Sequence, residues 1–209
     1  MNEPRRLTHR VWVTCLVTAV SGLTLGVVDL LGQVALPYPW ANLANSVAVW
    51  AIAAYGLGAW VRQPLWAAVS GAAMLVLAVG TYEVAAIVFL DDDASTLLSP
   101  TTWMWAAFGV IAGAVFAPAG ALSRGDRTVA RLVARALPAA VLLAEAAVMA
   151  RSPHQRADHL WTAAIMAVIA VASTAVVCRG ARHTLVALAV SLPLAALGFL
   201  ALTLAGLAG

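Results

Sequence analysis

Long apolar runs alternate along the chain with short polar connections. About 20 mostly apolar residues cross the hydrocarbon core of a bilayer as an α-helix, and seven runs meet that length. The predicted spans are 11–36, 41–61, 66–90, 101–122, 129–150, 160–178 and 184–207. Because the connections are short, we predict a single all-α transmembrane domain, residues 1–209, built as a polytopic bundle of about seven helices.

Composition supports this class. Hydrophobic residues make up 63% of the chain and charged residues 10%, which excludes an ordinary soluble domain. All twelve basic residues are arginine, and a chain without lysine cannot form the Schiff base of a retinal protein. The two cysteines, Cys15 and Cys178, lie in apolar runs and suggest no disulfide framework. The first apolar run is long enough for an uncleaved span, so we do not expect a removed signal peptide.

The arginines also predict the orientation. Ten of them fall in one set of connections and span ends, and two, Arg151 and Arg156, fall in the other set. Since cytoplasmic connections are enriched in arginine, we expect the N-terminus inside, the C-terminus outside, and an inner (plasma) membrane location. The ten are Arg5, Arg6, Arg10, Arg62, Arg124, Arg127, Arg131, Arg135, Arg179 and Arg182. This pattern accounts for the net charge of +3, and we expect no nucleic-acid partner.

Three acidic residues interrupt the apolar runs: Asp29, Glu83 and Glu145. No arginine lies within a helical turn of them, and an intramembrane carboxylate is a functional-site candidate by default. Counted along their helices at about 1.5 Å per residue, all three fall in the outer half of the bilayer, as do two asparagines of the second span. We therefore predict one outward-facing ligand site formed by Asp29, Gln33, Asn42, Asn45, Trp50, Tyr82, Glu83, Trp103 and Glu145.

Other interpretations of the same residues stay open. A protonated carboxyl group can donate a hydrogen bond between helices, and asparagine side chains can do the same, so a structural or assembly role with a membrane-protein partner is the main alternative. Asp29 could instead reach the interface. A further alternative is an enzyme acting on a lipid-linked substrate, with Glu83 or Glu145 as general acid or base.

We predict no catalytic residues, no metal ligands and no cofactor. The external connections hold Asp91, Asp92 and Asp93 in one place and His154, Asp158 and His159 in another. Oxygen and imidazole groups can bind metals, but solvated residues that end helices explain them equally well. Glycine pairs on the first and fourth spans, Gly22 with Gly26 and Gly109 with Gly113, predict close helix packing.

Residues 25–58 carry a resemblance to a known group of proteins. The run from Trp40 to Trp50 reads W-A-N-L-A-N-S-V-A-V-W. It resembles a bacterial family of multi-pass membrane proteins of unknown function, which has an L-A-N-S motif, a following Trp, and acidic residues late in the third and fifth spans. The resemblance brings no activity with it, and it points to Gln33, Asn42, Asn45, Trp50, Glu83 and Glu145.

A looser, fold-level similarity is to the substrate-binding subunits of energy-coupling-factor vitamin transporters, which are small bundles with six spans where this chain has seven predicted ones. The leading hypothesis is therefore a membrane protein that binds, or binds and transports, a small polar or cationic solute. Its expected partners are the lipid bilayer and that solute.

Overall fold

The computed structural model describes residues 3–151, 156–178 and 180–204. These residues form eight α-helices and one short 3-10 helix, and the described part contains no strand. The α-helices are α1 (Glu3–Ala35), α2 (Trp40–Ala44), α3 (Val47–Val61), α4 (Pro64–Leu90), α5 (Pro100–Leu122), α6 (Thr128–Arg151), α7 (Arg156–Cys178) and α8 (Ala181–Leu204), and the 3-10 helix is Ala94–Leu98. The predicted all-α class is confirmed.

Six helices in the described part are long and apolar enough to cross a membrane. This confirms a multi-pass helical membrane protein. The six stretches are Val11–Ala35, Pro64–Leu90, Pro100–Leu122, Thr128–Arg151, Ala157–Cys178 and Ala181–Leu204.

The second predicted span, 41–61, is divided in the structure into α2 and α3. Asn45 ends α2 with φ −88° and ψ 37°, and Ser46 lies directly before the start of α3. The hydroxyl oxygen of Ser46 accepts a hydrogen bond from Val49 N–H at 3.3 Å. Asn and Ser prefer such terminal positions because their short polar side chains bond to nearby backbone groups.

Two compact units can be distinguished by their internal contacts. Unit 1 contains the chain up to Leu31 together with Ala54–Ala121, and unit 2 contains Gly32–Ala53 together with the chain from Leu122 onward. Unit 1 therefore holds most of α1, the second half of α3, α4 and α5. Unit 2 holds α2, the first half of α3, and α6 to α8.

Glycines allow helix backbones to approach closely in unit 1. A Cβ placed on Gly22 would lie 2.6 Å from Met74 O, and one placed on Gly26 would overlap Ala78 O. From the first contact to the second, the residue number rises along both α1 and α4, so these two helices run parallel. The predicted role of this glycine pair in close packing is confirmed.

The glycines of α5 face α4 in the same way. Gly109 lies against Leu75, and Gly113 lies against the backbone of Gly71 and Ala72. From Gly109 to Gly113 the residue number rises along α5 while that of the contacted residue falls along α4, so α4 and α5 are antiparallel. This second glycine pair also packs as predicted.

Unit 2 contains an apolar core cluster. Ala48 of α3, Leu142 of α6 and Met166 of α7 are almost fully buried together in one cluster. On α8, Gly198 faces Ala144 of α6. The core thus joins the start of α3 to the helices at the C-terminal end of the chain.

We predict that Gly113→Val lowers the melting temperature of the detergent-purified protein, whereas Gly80→Val on α4 changes it little. A side chain at Gly113 would meet the α4 backbone, and overpacking of this kind costs about 1 to 3 kcal/mol. A side chain at Gly80 would enter open space. The replacement of glycine by valine changes helix propensity equally at the two positions. Equal melting temperatures for the two variants would contradict close packing of α4 on α5.

Candidate functional site

Glu145 of α6 lies at the N-terminus of α3. It is buried, with 4% of its surface exposed. Its Oε2 accepts a hydrogen bond from the Ser46 hydroxyl at 2.7 Å and another from Ala48 N–H at 2.8 Å. A carboxyl group from one helix therefore caps the first turn of another.

This cap answers a requirement of helix ends. The first four N–H groups of a helix have no partner within the helix. Ser46 accepts from Val49 N–H and Glu145 accepts from Ala48 N–H, so two of those groups are satisfied by side chains. A negative charge there also interacts favourably with the positive end of the helix dipole.

The other side of the break is the C-terminal end of α2. Asn45 N–H donates to Ala41 O at 3.2 Å, which closes the last turn. Asn42 Nδ2 donates to Thr162 Oγ1 of α7 at 3.1 Å, and the Thr162 hydroxyl donates to Asp158 O at 2.8 Å. Asn42 thus ties α2 to α7, while the Asn45 side chain is exposed.

These residues form one polar group within unit 2, which we call the break cluster: Asn42, Asn45, Ser46, Glu145 and Thr162. Its polar side chains surround the interruption between α2 and α3. Two other predicted site residues of unit 2, Gln33 and Trp50, are half-buried.

Glu83 belongs to unit 1 and is only half-buried. Its Oε1 is 3.1 Å from Thr102 Oγ1, but the same hydroxyl is 2.7 Å from Thr96 O. A threonine hydroxyl has a single proton, so the closer carbonyl competes for it, and Glu83 is held weakly. The neighbouring Trp103 is 62% exposed.

Asp29 and Tyr82 also belong to unit 1. Asp29 is buried on α1, and the next residue, Leu30, packs against Ala85 and Ala86 of α4 with Tyr82 beside them. Asp29 therefore lies at the α1–α4 contact.

The predicted site residues are thus shared between the two units. Within unit 2, Asn42 and Glu145 both lie at the α2–α3 break. Within unit 1, Tyr82 packs against the cluster that contains Leu30, the residue after Asp29. A single site that joins all nine residues stays a prediction.

Three hydroxyl residues at these positions were not anticipated as site residues: Ser46, Thr102 and Thr162. Ser46 does have a sequence signal, because a serine before an apolar run is a typical helix N-cap. Thr102 and Thr162 have none, since a threonine in an apolar run usually bonds to its own helix.

The acidic connection between α4 and α5 has a capping role. Asp91 ends α4 with φ 55°, and the Asp93 carboxylate accepts a hydrogen bond from Ser95 N–H at 2.7 Å at the start of the 3-10 helix. Hydrogen bonds from the backbone and side chain of Ser95 hold the pKa of Asp93 below its ordinary value. Of the residues placed earlier among possible metal ligands, His154 lies outside the described residues.

We predict that Ser46→Ala lowers the melting temperature more than Ser191→Ala does. Loss of the cap costs about 0.5 to 2 kcal/mol, and the Glu145 carboxyl would also lose a donor, which adds about 1 to 3 kcal/mol. Ser191 is equally buried in unit 2, but its hydroxyl bonds to Leu188 O of its own helix. The measurement is thermal unfolding in detergent. Equal decreases in melting temperature for the two variants would show that the Ser46 cap adds no stability beyond that of an ordinary buried serine.

Comparison with known proteins gives a family but no activity. The sequence model of a family of unknown function, DUF6518, matches residues 5–208. Neither the curated proteins nor the solved structures include a match to this sequence. The family match covers nearly the whole chain and agrees with the resemblance read from the L-A-N-S run. This multi-pass helical chain therefore belongs to the family of unknown function DUF6518.

Proposed function

We propose that this protein binds a small cationic solute at the break cluster and carries it across the plasma membrane. One observation carries the proposal: the buried carboxyl group of Glu145 lies at a helix interruption within an apolar segment. Non-helical backbone at membrane depth is tolerated where protein buries it or where it lines a water-filled cavity. Many transporters bind their substrates and coupling ions at such discontinuous helices.

The chemistry of the break favours a cation. The C-terminal end of α2 presents backbone carbonyl oxygens, and Glu145 and Ser46 add carboxylate and hydroxyl oxygens. Carbonyl oxygens at unwound helix ends are the groups with which transporters coordinate cations. Within the described residues, Glu145 forms no ion pair with an arginine or histidine, so no protein cation there neutralises its charge.

The direction of the helices supports a crossing by the broken segment. Since α1 and α4 run parallel, the chain between them must return across the membrane. Trp40 to Val61 extends about 33 Å at 1.5 Å per residue, which matches a bilayer core of about 30 Å. Both observations support the proposal of seven crossings, and the arginine distribution supports a cytoplasmic N-terminus.

The proposed topology also implies a depth for the proposed site. The 15 residues of α3 extend about 22 Å from the cytoplasmic side, where Arg62 follows the helix. The break then falls in the outer third of the hydrocarbon core. A solute would reach the break cluster from the external side.

A structural role is the second candidate, and a specific observation favours it. The hydrogen bonds of Glu145 are made to α3 and its capping serine. A carboxyl group used in this way holds two helices together whether or not a solute binds. The two candidate functions predict different effects of Glu145→Gln: solute binding predicts loss of cation binding, and a structural role predicts a change in stability alone.

We predict that small cations raise the melting temperature of the purified wild-type protein and that Glu145→Gln loses this increase. The probes are sodium, potassium, guanidinium and choline chlorides at matched ionic strength. A ligand at 100 times its Kd stabilises the folded state by about 2.7 kcal/mol, and the amide has no charge to attract it.

Gly113→Val is the control, because it lowers stability in unit 1 and leaves the break cluster unchanged. Retention of the increase in Glu145→Gln, or no increase for the wild type with any probe, would favour the structural candidate. For a cation that does bind, uptake into proteoliposomes then separates transport from binding.

We also predict that Glu83→Gln keeps the cation-dependent increase, because Glu83 is not part of the break cluster, and that its free energy of unfolding without ligand stays within about 1 kcal/mol of the wild type. Glu83 is half-buried and accepts one weak hydrogen bond, so its replacement costs little more than that bond. The same titration measures the effect. If Glu83→Gln loses the increase as Glu145→Gln does, the proposal of a site confined to the break cluster is wrong.

A further inference from the structure

Five arginines lie at one end of unit 2. Since α6 ends at Arg151, α7 begins at Arg156 and the two helices pack on each other, the start of α6, with Arg135, lies at the same end as Cys178, the last residue of α7. Since α8 begins at Ala181, its Arg182 lies at that same end, together with the connection between α5 and α6. The five are Arg124, Arg127, Arg131, Arg135 and Arg182, and we call them the basic end.

Two of these arginines are fixed in place by backbone carbonyls. Arg135 Nε donates to Ser123 O at 3.0 Å, and Arg131 Nη1 donates to Gly125 O at 3.3 Å. Both side chains are half-buried in the first two turns of α6. A guanidinium group has five N–H donors, and each of these uses one of them in the described contacts, so most donors remain for a ligand.

No carboxylate in the described part of the chain forms an ion pair with these arginines. The acidic residue of the connection, Asp126, is exposed. A half-buried cation at the membrane boundary without an anion is costly. Membrane orientation alone does not explain the half-buried Arg131 and Arg135, because the exposed Arg124 and Arg127 already supply the positive charge that marks a cytoplasmic connection.

We propose that the basic end binds the phosphate headgroup of an anionic phospholipid from the cytoplasmic leaflet. The planar guanidinium group matches phosphate oxygens with paired N–H donors, which lysine cannot do. The cytoplasmic leaflet carries anionic lipids, and basic pockets between helices on this side bind their headgroups. The site is independent of the break cluster and does not depend on solute binding.

The test is native mass spectrometry of the detergent-solubilised full-length protein with phosphatidylglycerol, with phosphatidylcholine of the same acyl chains, and with inorganic phosphate. We expect the wild type to retain phosphatidylglycerol selectively. Arg131→Gln/Arg135→Gln should weaken this binding by about fivefold for each arginine removed. The control is Arg151→Gln, at the other end of α6, where the guanidinium lies over Phe199, and it should bind like the wild type.

Three outcomes would overturn the proposal: equal retention of the two lipids, unchanged phosphatidylglycerol binding in the double variant, or equally strong binding of inorganic phosphate alone. If the double variant does not fold, Arg124→Gln/Arg127→Gln replaces it, because both side chains are exposed. Weaker phosphatidylglycerol binding in that variant would support the site, and unchanged binding would reject it.

Discussion

The arrangement of unit 2 depends on how the first turn of α3 is capped. A helix that begins inside an apolar environment leaves N–H groups that water cannot satisfy, and each such group costs several kcal/mol in lipid. Ser46 and Glu145 supply the acceptors. Their contact also fixes α3 against α6, which places Ala48 in the core beside Leu142. The contact that caps α3 therefore also packs this helix into the core of unit 2.

The two units hold their helices together by different means. In unit 1, small residues let backbones touch, so that Gly26 and Gly113 meet the backbone of α4 and dispersion contacts dominate. In unit 2, an apolar cluster is combined with the Glu145 cap and with the bond from Asn42 to Thr162. A five-residue helix such as α2 is too short to be stable alone, and it needs that bond to α7.

The sequence predicts the helical class, the membrane location and the glycine contacts, because apolar length and small-residue spacing are local properties. The predicted span 41–61 misses the break at Asn45 and Ser46 because apolar residues continue on both sides, although Ser46 before an apolar run is an N-cap signal. The residue that stabilises the break, Glu145, lies 99 positions away. Its carboxyl group could be recognised as costly from the sequence, but its partner could only come from the fold.

A cap alone does not explain why a carboxylate occupies position 145. An amide oxygen could accept the same N–H group without a buried charge, and its desolvation would cost less. The helix N-terminus offers about half a positive charge, so an ionised Glu145 leaves about half a negative charge uncompensated, and no arginine or histidine of the described residues pairs with it. The cap and the proposed cation site are therefore compatible: the helix end holds the carboxylate in position, and an uncompensated charge there is what a bound cation would neutralise.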